Sequence, residues 1–366
     1  MMNLPKKFLL LLAGAAVVLA GCGSVGRTEN IFTVLEQTES SGEVDPGGKT
    51  GAAGGASSAG AASPVYLHLV HSSSENSAID RTADRFRDLV EEYSQGNIKV
   101  EVFANDSMGY IYDYPEALRE GTVDAWIGSG TKIAQAVSWL PTIRGLSLEQ
   151  VKAVLADSRV QEAYSAEAEN GGYRIMAAFP LQYRVLTANI PVSTVEDLRK
   201  LKMRCYAEQS GETAYWGALG VPTAVYDVHQ LYSALQQHLV TAQANTLPVI
   251  VSTQIYNQQR YVIETKHMVY QDMLCVSSNF YRSLTPEQQG ILDRAARELG
   301  DFSEEVYSAE IVRSQRILEN AGLRTISADE QLISDMRRIG GPAAERELRK
   351  IYGDEKIDLV MNAPVS

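Results

Sequence analysis

The alternation of strand-like and helix-like segments that begins at Val65 constrains the fold of this chain more than any other feature. Short apolar runs predict strands, and apolar residues spaced three and four positions apart predict helices. In chain order the segments are a strand at 65–70, a helix at 78–93, a strand at 98–103, a helix at 113–120 and a strand at 123–128. This order predicts a parallel β-sheet with helices packed on it.

A second series of the same kind follows in the C-terminal half. It comprises strands at 183–189 and 202–206, helices at 211–219 and 227–238, an apolar strand at 272–277 and a long helical region near 287–321. Asp227 and Gln230 have the spacing of a capping box, and Pro286 suits a first helical turn. About 300 residues follow Val65, enough for one large or two medium α/β domains, and the two series favour two.

The first 22 residues predict an export signal. Lys6 and Lys7 precede an apolar run at 8–19, and residues 19–22 read Leu-Ala-Gly-Cys. The run is shorter than the roughly 20 apolar residues that span a membrane. Its ending resembles the lipobox of bacterial lipoproteins, in which the cysteine becomes the acylated first residue of the mature protein. We therefore expect a lipidated Cys22 that anchors an extracytoplasmic protein to the bacterial cell membrane; the alternative is an ordinary signal peptide that contains a cysteine.

Residues 23–64 are predicted to form a flexible linker. Gly, Ser and Ala dominate them, most strongly at 38–64, where large apolar residues are almost absent. Such a composition cannot build a core, and about 27 residues of it have a root-mean-square span of roughly 30 Å. The linker would hold a folded body away from the lipid surface.

The charge of the chain argues against a nucleic-acid partner. It carries 33 Lys and Arg against 45 Asp and Glu, a formal net charge of −12 at pH 7. Nucleic-acid-binding proteins need basic clusters that displace phosphate counterions, and the sequence contains no such cluster. An exported protein normally also lacks access to ATP and NADH, which argues against enzymes that depend on them. We also expect a monomer without a cofactor.

The sequence also lacks catalytic and metal-binding motifs. It has neither the Gly-x-Ser-x-Gly elbow of α/β hydrolases nor the His-Glu-x-x-His motif of zinc proteases. His68 and His71 are close in sequence, but their spacing places them on opposite faces of a strand. We therefore expect one buried and one half-exposed histidine and no metal site, and an exported hydrolase is the alternative class of function.

Two cysteines, Cys205 and Cys275, are left once Cys22 is assigned to lipid. One interpretation is a disulfide, which an exported protein can form. The other is a pair of buried free thiols, because each cysteine lies in an apolar, strand-like stretch.

Several sequence blocks in register resemble one protein family. They are Ile-Lys-Val-Glu-Val-Phe-Ala-Asn at 98–105, Met-Gly at 108–109, and the blocks at 116–124, 184–192, 195–198, 201–204 and 231–237. Together they resemble the solute-binding subunits of tripartite ATP-independent periplasmic (TRAP) transporters, the dicarboxylate-binding family. The resemblance extends from about Val65 to beyond Ala321, nearly all of the predicted globular part.

The resemblance implies a carboxylate-binding site in the second half of the chain. Arg204 matches the family arginine that holds the carboxylate of the ligand, Arg184 matches a second arginine near the ligand, and Asn245 matches an asparagine that hydrogen-bonds to it. A guanidinium presents a rigid fork of donors to two carboxylate oxygens, which lysine cannot do. For Arg204 and Arg184 the alternative is an ordinary ion pair at a strand end.

The chain departs from the family pattern just before Asn245. The family usually reads Gly-x-x-Asp-Gly-Gln-Glu-Asn there, whereas residues 238–245 of this chain read His-Leu-Val-Thr-Ala-Gln-Ala-Asn. Both glycines and both acids are replaced. Two interpretations stay open: the turn is remodelled at His238 and Ala242, or this member binds a different ligand.

Two further candidates lie at strand ends. Open α/β sheets place ligands at the carboxyl ends of their strands. Glu75 lies in the polar loop 72–76 after the first strand, and Ser129 follows the third strand. Both are predicted to contact the ligand, and a loop that only caps a helix is the alternative for 72–76.

The resemblance further implies the two-lobed type II periplasmic-binding-protein fold, with two mixed sheets flanked by helices and joined by crossing strands and the long helix. We expect lobe 1 to comprise 65–181 and 271–310, and lobe 2 to comprise 182–270 and 311–366. Closure of the lobes would trap a small organic anion and deliver it to an ion-gradient-driven TRAP permease. The alternatives are a ligand-sensing subunit of a membrane receptor and the binding component of an ATP-driven importer.

Overall fold

The computed structural model describes residues 63–109, 113–129, 136–207 and 210–365. These residues all belong to one unit of the chain, Ala61–Ser366. Cys22 and most of the predicted linker lie outside the described residues, so the predictions made for them stay predictions. In the described part, no helix combines the length and the apolarity needed to cross a bilayer.

The strands follow the predicted series and are numbered in chain order. They are β1 (Val65–Val70), β2 (Ile98–Phe103), β3 (Ala125–Ser129), β4 (Tyr173–Ala178), β5 (Gln182–Tyr183), β6 (Val185–Ala188), β7 (Met203–Cys205), β8 (Thr223–Val225), β9 (Ala242–Asn245), β10 (Tyr261–Glu264), β11 (Val269–Tyr270), β12 (Asp272–Ser277) and β13 (Arg324–Ser327). The predicted bounds of β1, β2 and β12 are confirmed. The predicted strand 183–189 is interrupted at Arg184, between β5 and β6.

The helices are numbered in the same way. Those with both ends described are α1 (Ala78–Tyr93), α2 (Tyr114–Glu120), α3 (Leu140–Ile143), α4 (Leu148–Ala156), α5 (Ser158–Asn170), α6 (Val195–Leu198), α7 (Gly211–Ala218), α8 (Val228–Gln236), α9 (Leu247–Ser252), α10 (Ser278–Ser283), α11 (Pro286–Arg297), α12 (Gly300–Asn320), α13 (Glu330–Tyr352) and α14 (Asp354–Met361). Helix α1 has the predicted bounds because Ser77 caps it, accepting a hydrogen bond from Asp80 N. Asp227 and Gln230 form the predicted capping box of α8.

The region predicted as one long helix near 287–321 forms two helices, α11 and α12. Glu298 and Leu299 make a tight turn between them while their backbone stays in the right-handed helical region. The amide of Leu299 donates to Ala296 O, three residues back, and the side chain of Leu299 is fully buried. The apolar periodicity continues through such a turn, so the sequence did not reveal the break.

Two mixed sheets organise the described chain. The first has the strand order β2-β1-β3-β12-β4, in which β1 is parallel to β2 and β3, and β12 is antiparallel to β3 and β4. The second has the order β13-β10-β6-β9-β7-β8. The predicted parallel arrangement of β1, β2 and β3 is confirmed, and the antiparallel β12 makes the first sheet mixed, as the predicted fold class requires.

The chain crosses between the two sheets three times, twice through short paired strands and once from β12 through helices to β13. It leaves the first sheet after β4 and reaches β6 through β5, and it returns from β10 to β12 through β11. β5 and β11 pair as a short antiparallel ribbon, which we call the crossing ribbon, and the amide of Arg184 extends it by donating to Met268 O over 2.9 Å. Helix α12 also joins the two halves, because it packs against both α1 and α9.

His68 and His71 contact different carboxylates, Asp124 and Asp80 respectively. His71 is fully buried, with Nε2 3.2 Å from Asp80 Oδ1, whereas His68 is half-buried. No group of side chains in the described residues has the composition of a metal site. Cys205 and Cys275 are free thiols in different sheets, and burial raises the pKa of each to about 12. The disulfide interpretation is therefore wrong.

Candidate ligand-binding site

Three predicted ligand residues lie on neighbouring strands of the second sheet. Arg184 directly precedes β6, Asn245 ends β9, and Arg204 is the central residue of β7. β9 lies between β6 and β7, and Val185 is paired with Asn245. The sheet therefore places Arg184 beside Asn245 and puts Arg204 on the strand next to that of Asn245.

Arg204 is buried with most of its donor groups unused. The residue is only 6% exposed. Its Nε donates to Tyr226 O over 2.8 Å, which is the only hydrogen bond of this guanidinium within the described residues. Burial lowers the pKa of Arg204, and the negative charge of Glu212 opposes this effect. Two terminal nitrogens of a permanently charged group are thus left for a partner that the described chain does not supply.

Arg184, in contrast, is tied to the chain through each of its side-chain nitrogens. Its Nε donates to Ala244 O over 3.1 Å, and Nη2 donates to the same oxygen and to Asn245 Oδ1, the latter over 3.2 Å. Nη1 lies 3.8 Å from the sulfur of Met268, beside the crossing ribbon. Arg184 therefore links β9 to the place where the chain passes between the sheets.

Asn245 is held in place by a short chain of side-chain hydrogen bonds. Its Nδ2 donates to Gln243 Oε1 over 2.7 Å, and Gln243 Nε2 donates to Thr187 Oγ1 over 2.8 Å. Gln243 and Thr187 are fully buried on the facing strands β9 and β6. The two residues kept from the family pattern thus act together: Gln243 orients Asn245, whose Oδ1 accepts from Arg184.

The turn after α8 explains one departure from the family pattern. His238 stands where the family has its first glycine and has a φ of 57°, in the left-handed region. The amides of His238 and Leu239 donate to the last turn of α8, as in a helix that ends on a glycine. The side chain of Thr241 accepts from the amide of Lys202 over 2.8 Å. The turn therefore keeps its left-handed conformation with a histidine in place of the glycine.

Glu212 is a buried carboxylate beside these arginines. It lies in the first turn of α7 and is 1% exposed. Its Oε1 is 4.0 Å from Arg184 Nη2, an ion-pair distance, and neither carboxylate oxygen has a hydrogen-bond partner among the described residues. Among the charges that act on Arg204, that of Glu212 has the largest effect. Two positive charges and one negative charge therefore share this buried region.

Aromatic rings pack next to the charged groups. Tyr215 and Trp216 are fully buried on α7, and the ring of Tyr215 stacks on that of His267 with centroids 5.9 Å apart. Burial lowers the pKa of His267 to about 3, and the nearby charge of Arg184 acts in the same direction. His267 is therefore neutral at physiological pH, and it adds no charge to the region.

Side chains from the first sheet approach α8, the helix that follows Tyr226. Asp106, just after β2, has Oδ2 3.7 Å from His229 Nε2 in the first turn of α8. Tyr114 OH donates to Asp106 Oδ1 over 3.0 Å and lies 2.9 Å from Ser72 Oγ. Burial raises the pKa of Tyr114 to about 12. This group connects the two halves of the molecule near the strand that carries Arg204.

Of the two candidates at strand ends, Glu75 takes no part in these contacts among the described residues. Glu75 is exposed and makes no ion pair with another described residue. Its loop does cap α1, because the amide of Asn76 donates to Asp80 Oδ2 over 2.7 Å and Ser77 is the N-cap. The backbone of Ser129 ends β3, paired with Asp272 of β12. The roles of Glu75 and Ser129 as ligand contacts stay predictions.

The sequence analysis missed Glu212 and the contact between Asp106 and His229. An acidic residue in the first turn of a helix is common, because its charge complements the helix dipole. The position of Glu212 in the sequence therefore did not indicate a role in the site. Asp106 and His229 are 123 positions apart in the sequence, and only the folded chain brings them together.

Comparisons with known proteins relate the chain to a single family. The model of the family described as "Bacterial extracellular solute-binding protein, family 7" matches residues 69–350. A solute-binding protein of Roseobacter denitrificans is 26% identical over 281 residues, covering 75% of this chain and 85% of the relative. The C4-dicarboxylate-binding protein DctB of Bacillus subtilis is 26% identical over 302 residues, covering 80% and 85%.

Solved structures share the fold. A TRAP periplasmic solute-binding protein of Pseudomonas aeruginosa, with bound L-malate, matches with a TM-score of 0.70 and 23% identity, covering 79% of this chain and all of the other. One from Sulfitobacter, with bound β-D-galacturonate, matches with a TM-score of 0.70 and 22% identity, covering 81% and 98%. The two-sheet architecture with its crossing strands is thus the fold of periplasmic solute-binding proteins.

Proposed function

This chain belongs to the bacterial extracellular solute-binding protein family 7, and from that premise we propose that it captures a small organic acid and delivers it to a TRAP-type membrane permease. One observation carries the proposal: Arg204 is buried and charged, and no described residue is hydrogen-bonded to its two terminal nitrogens. A carboxylate is the group that fits such a fork, because it accepts two parallel charge-assisted hydrogen bonds. The relatives with bound malate and galacturonate support the same class of ligand.

Binding proceeds by closure of two lobes around the ligand. Lobe 1 comprises 65–181 and 271–310, lobe 2 comprises 182–270 and 311–366, and the crossing ribbon is the hinge. Arg204 receives the carboxylate, Arg184 and Asn245 line the same side, and Ser129 and Glu75 approach from lobe 1. The contact between Asp106 and His229 supports closure at this position, since it joins a lobe 1 loop to a lobe 2 helix. The protein acts as a monomer, without catalysis and without a cofactor.

A thermal-shift screen of organic acids tests the proposed function. A ligand that binds only the folded state at 100 times its Kd stabilises a protein by about 2.7 kcal/mol, which for a chain of this size raises Tm by roughly 5 °C. We expect at least one carboxylate to produce such a shift, and its uncharged amide analogue to produce none. A panel of sugar acids, hydroxy acids, keto acids and aromatic acids without a single shift would contradict the proposal.

We also propose that Cys22 carries the lipid that keeps the protein near its permease. The signal-like residues 1–22 and the linker composition support this. A tether with a reach of roughly 30 Å maintains a high local concentration of the delivery protein. Cys22→Ser is expected to move the protein from the membrane fraction to the soluble fraction, whereas Ser40→Ala in the linker leaves it membrane-bound. Equal membrane association of the two variants would show that Cys22 is not the anchor.

A further inference from the structure

Glu212 places a negative charge inside a region that the proposed function assigns to an anion. Its carboxylate is 1% exposed and lies 4.0 Å from Arg184 Nη2. The charge of an exposed acid is screened by water. The charge of a buried acid is screened much less and therefore interacts strongly with a ligand bound beside it. Glu212 therefore changes what the two arginines can accept.

Among the residues that the structure describes, the buried charges in this region sum to a single positive charge. Arg184 and Arg204 contribute two positive charges, Glu212 contributes one negative charge, and His267 is neutral. Asp227, the other acid that acts on Arg204, is half-buried and caps α8 by accepting from His229 N over 2.9 Å. A ligand with one carboxylate leaves the buried set neutral. A second ligand carboxylate near Glu212 would face a like charge in a dry environment.

The oxygens of Glu212 also require hydrogen-bond donors. Both are buried, and neither accepts a hydrogen bond from the part of the chain that the structure describes. Buried polar groups are nearly always paired in native proteins, and leaving one unpaired costs about 1–3 kcal/mol, more for a charged group. A ligand that brings a hydroxyl or an ammonium group next to its carboxylate supplies the missing donor.

We propose that Glu212 is a specificity-determining residue, which restricts the site to small monocarboxylates that carry a hydroxyl or ammonium donor and rejects dicarboxylates. This inference rests on the proposed function, because it assumes that Arg204 holds a ligand carboxylate. Arg204 binds the ligand carboxylate, and Glu212 accepts a hydrogen bond from the hydroxyl or ammonium group next to that carboxylate. Arg184 Nη2, 4.0 Å from Glu212 Oε1, holds the carboxylate in position for this role.

Calorimetry with matched pairs of acids tests the inference. The pairs are L-threonate with L-tartrate, and D-galacturonate with galactarate, so that within each pair the carbon number is constant, hydroxyl groups are kept and the number of carboxylates changes. We expect the wild-type protein to bind the monocarboxylate of a pair at least tenfold more tightly than its dicarboxylate. The Glu212→Gln variant should reduce this ratio at least tenfold, chiefly by gaining affinity for the dicarboxylate, because it removes the like charge.

The matched control is Glu287→Gln. Glu287 is also in the first turn of a helix, α11, but it is exposed, and its loss should leave the ratio unchanged. Circular dichroism verifies that each variant is folded, and the wild-type ratios decide the question if Glu212→Gln does not fold. A wild-type preference for dicarboxylates, or an unchanged ratio in folded Glu212→Gln, overturns the inference alone. Failure of the wild-type protein to bind any organic acid counts instead against the proposed function.

Discussion

Arg204→Ala is expected to abolish measurable carboxylate binding while the protein stays folded. Removing one partner of a buried, hydrogen-bonded charge pair costs about 2–5 kcal/mol, so a loss near 4 kcal/mol corresponds to roughly a 1,000-fold weaker Kd. Folding should be little affected, because the guanidinium makes one hydrogen bond within the described chain and its burial opposes the charged form. Isothermal calorimetry with the best ligand of the screen measures the affinity, and thermal unfolding measures the stability.

Two further variants make this result specific. Arg204→Lys keeps the charge but loses the planar fork of donors, so we expect an intermediate loss of affinity. Arg338→Ala is the surface control, because Arg338 is exposed on α13 and, within the described chain, pairs only with Asp335 three residues earlier. An Arg204→Ala protein that binds the ligand with wild-type affinity would remove Arg204 from the site and leave the carboxylate proposal without its main support.

Gly340→Ala is expected to destabilise the protein by about 2–3 kcal/mol, in the range of an overpacked core. Gly340 lies within α13, where a methyl group on it would stand 2.4 Å from two ring carbons of Tyr215. The Tyr215 ring cannot move away from the added methyl group, because it is fully buried and packs against Trp139 and His267. Chemical denaturation followed by tryptophan fluorescence measures the free energy of unfolding.

The matched control for this prediction is Gly290→Ala. Gly290 is also a glycine within a helix, α11, but it is exposed and nothing lies within 4 Å of the added methyl group. Replacing such a glycine by alanine reduces the entropy lost on folding, so we expect stabilisation by roughly 0.5–1 kcal/mol. Equal changes in the two variants would mean that helix propensity, and not the contact with Tyr215, decides the effect at Gly340.

Local sequence patterns predicted part of the secondary structure. Helix α1 and strands β1, β2 and β12 have the predicted bounds, because apolar periodicity and capping residues act over a few positions. The two errors in element bounds have different causes. The turn at Glu298 and Leu299 preserves the helical spacing of apolar residues, and the interruption at Arg184 depends on pairing with a strand more than 80 residues away.

The candidate site was predictable in part. The family resemblance placed Arg184, Arg204 and Asn245, and the structure puts all three on neighbouring strands of one sheet. The resemblance did not indicate that Arg184 hydrogen-bonds to the backbone, whereas the terminal nitrogens of Arg204 have no hydrogen-bond partner among the described residues. That difference depends on Ala244 O and Met268, which contact Arg184. The disulfide interpretation likewise failed because Cys205 and Cys275 belong to different sheets.

The sequence by itself determined the alternating series from β1 to β3, the capping box of α8 and the match of Arg204 to the family arginine. Only the tertiary structure decided which charges share a buried volume. Folding brings Oε1 of Glu212 to 4.0 Å from Arg184 Nη2, and no described residue donates a hydrogen bond to either carboxylate oxygen. The physical reason is that helix and strand preferences arise between near neighbours in the chain. The strength of a charge depends instead on burial and on groups that only the fold assembles.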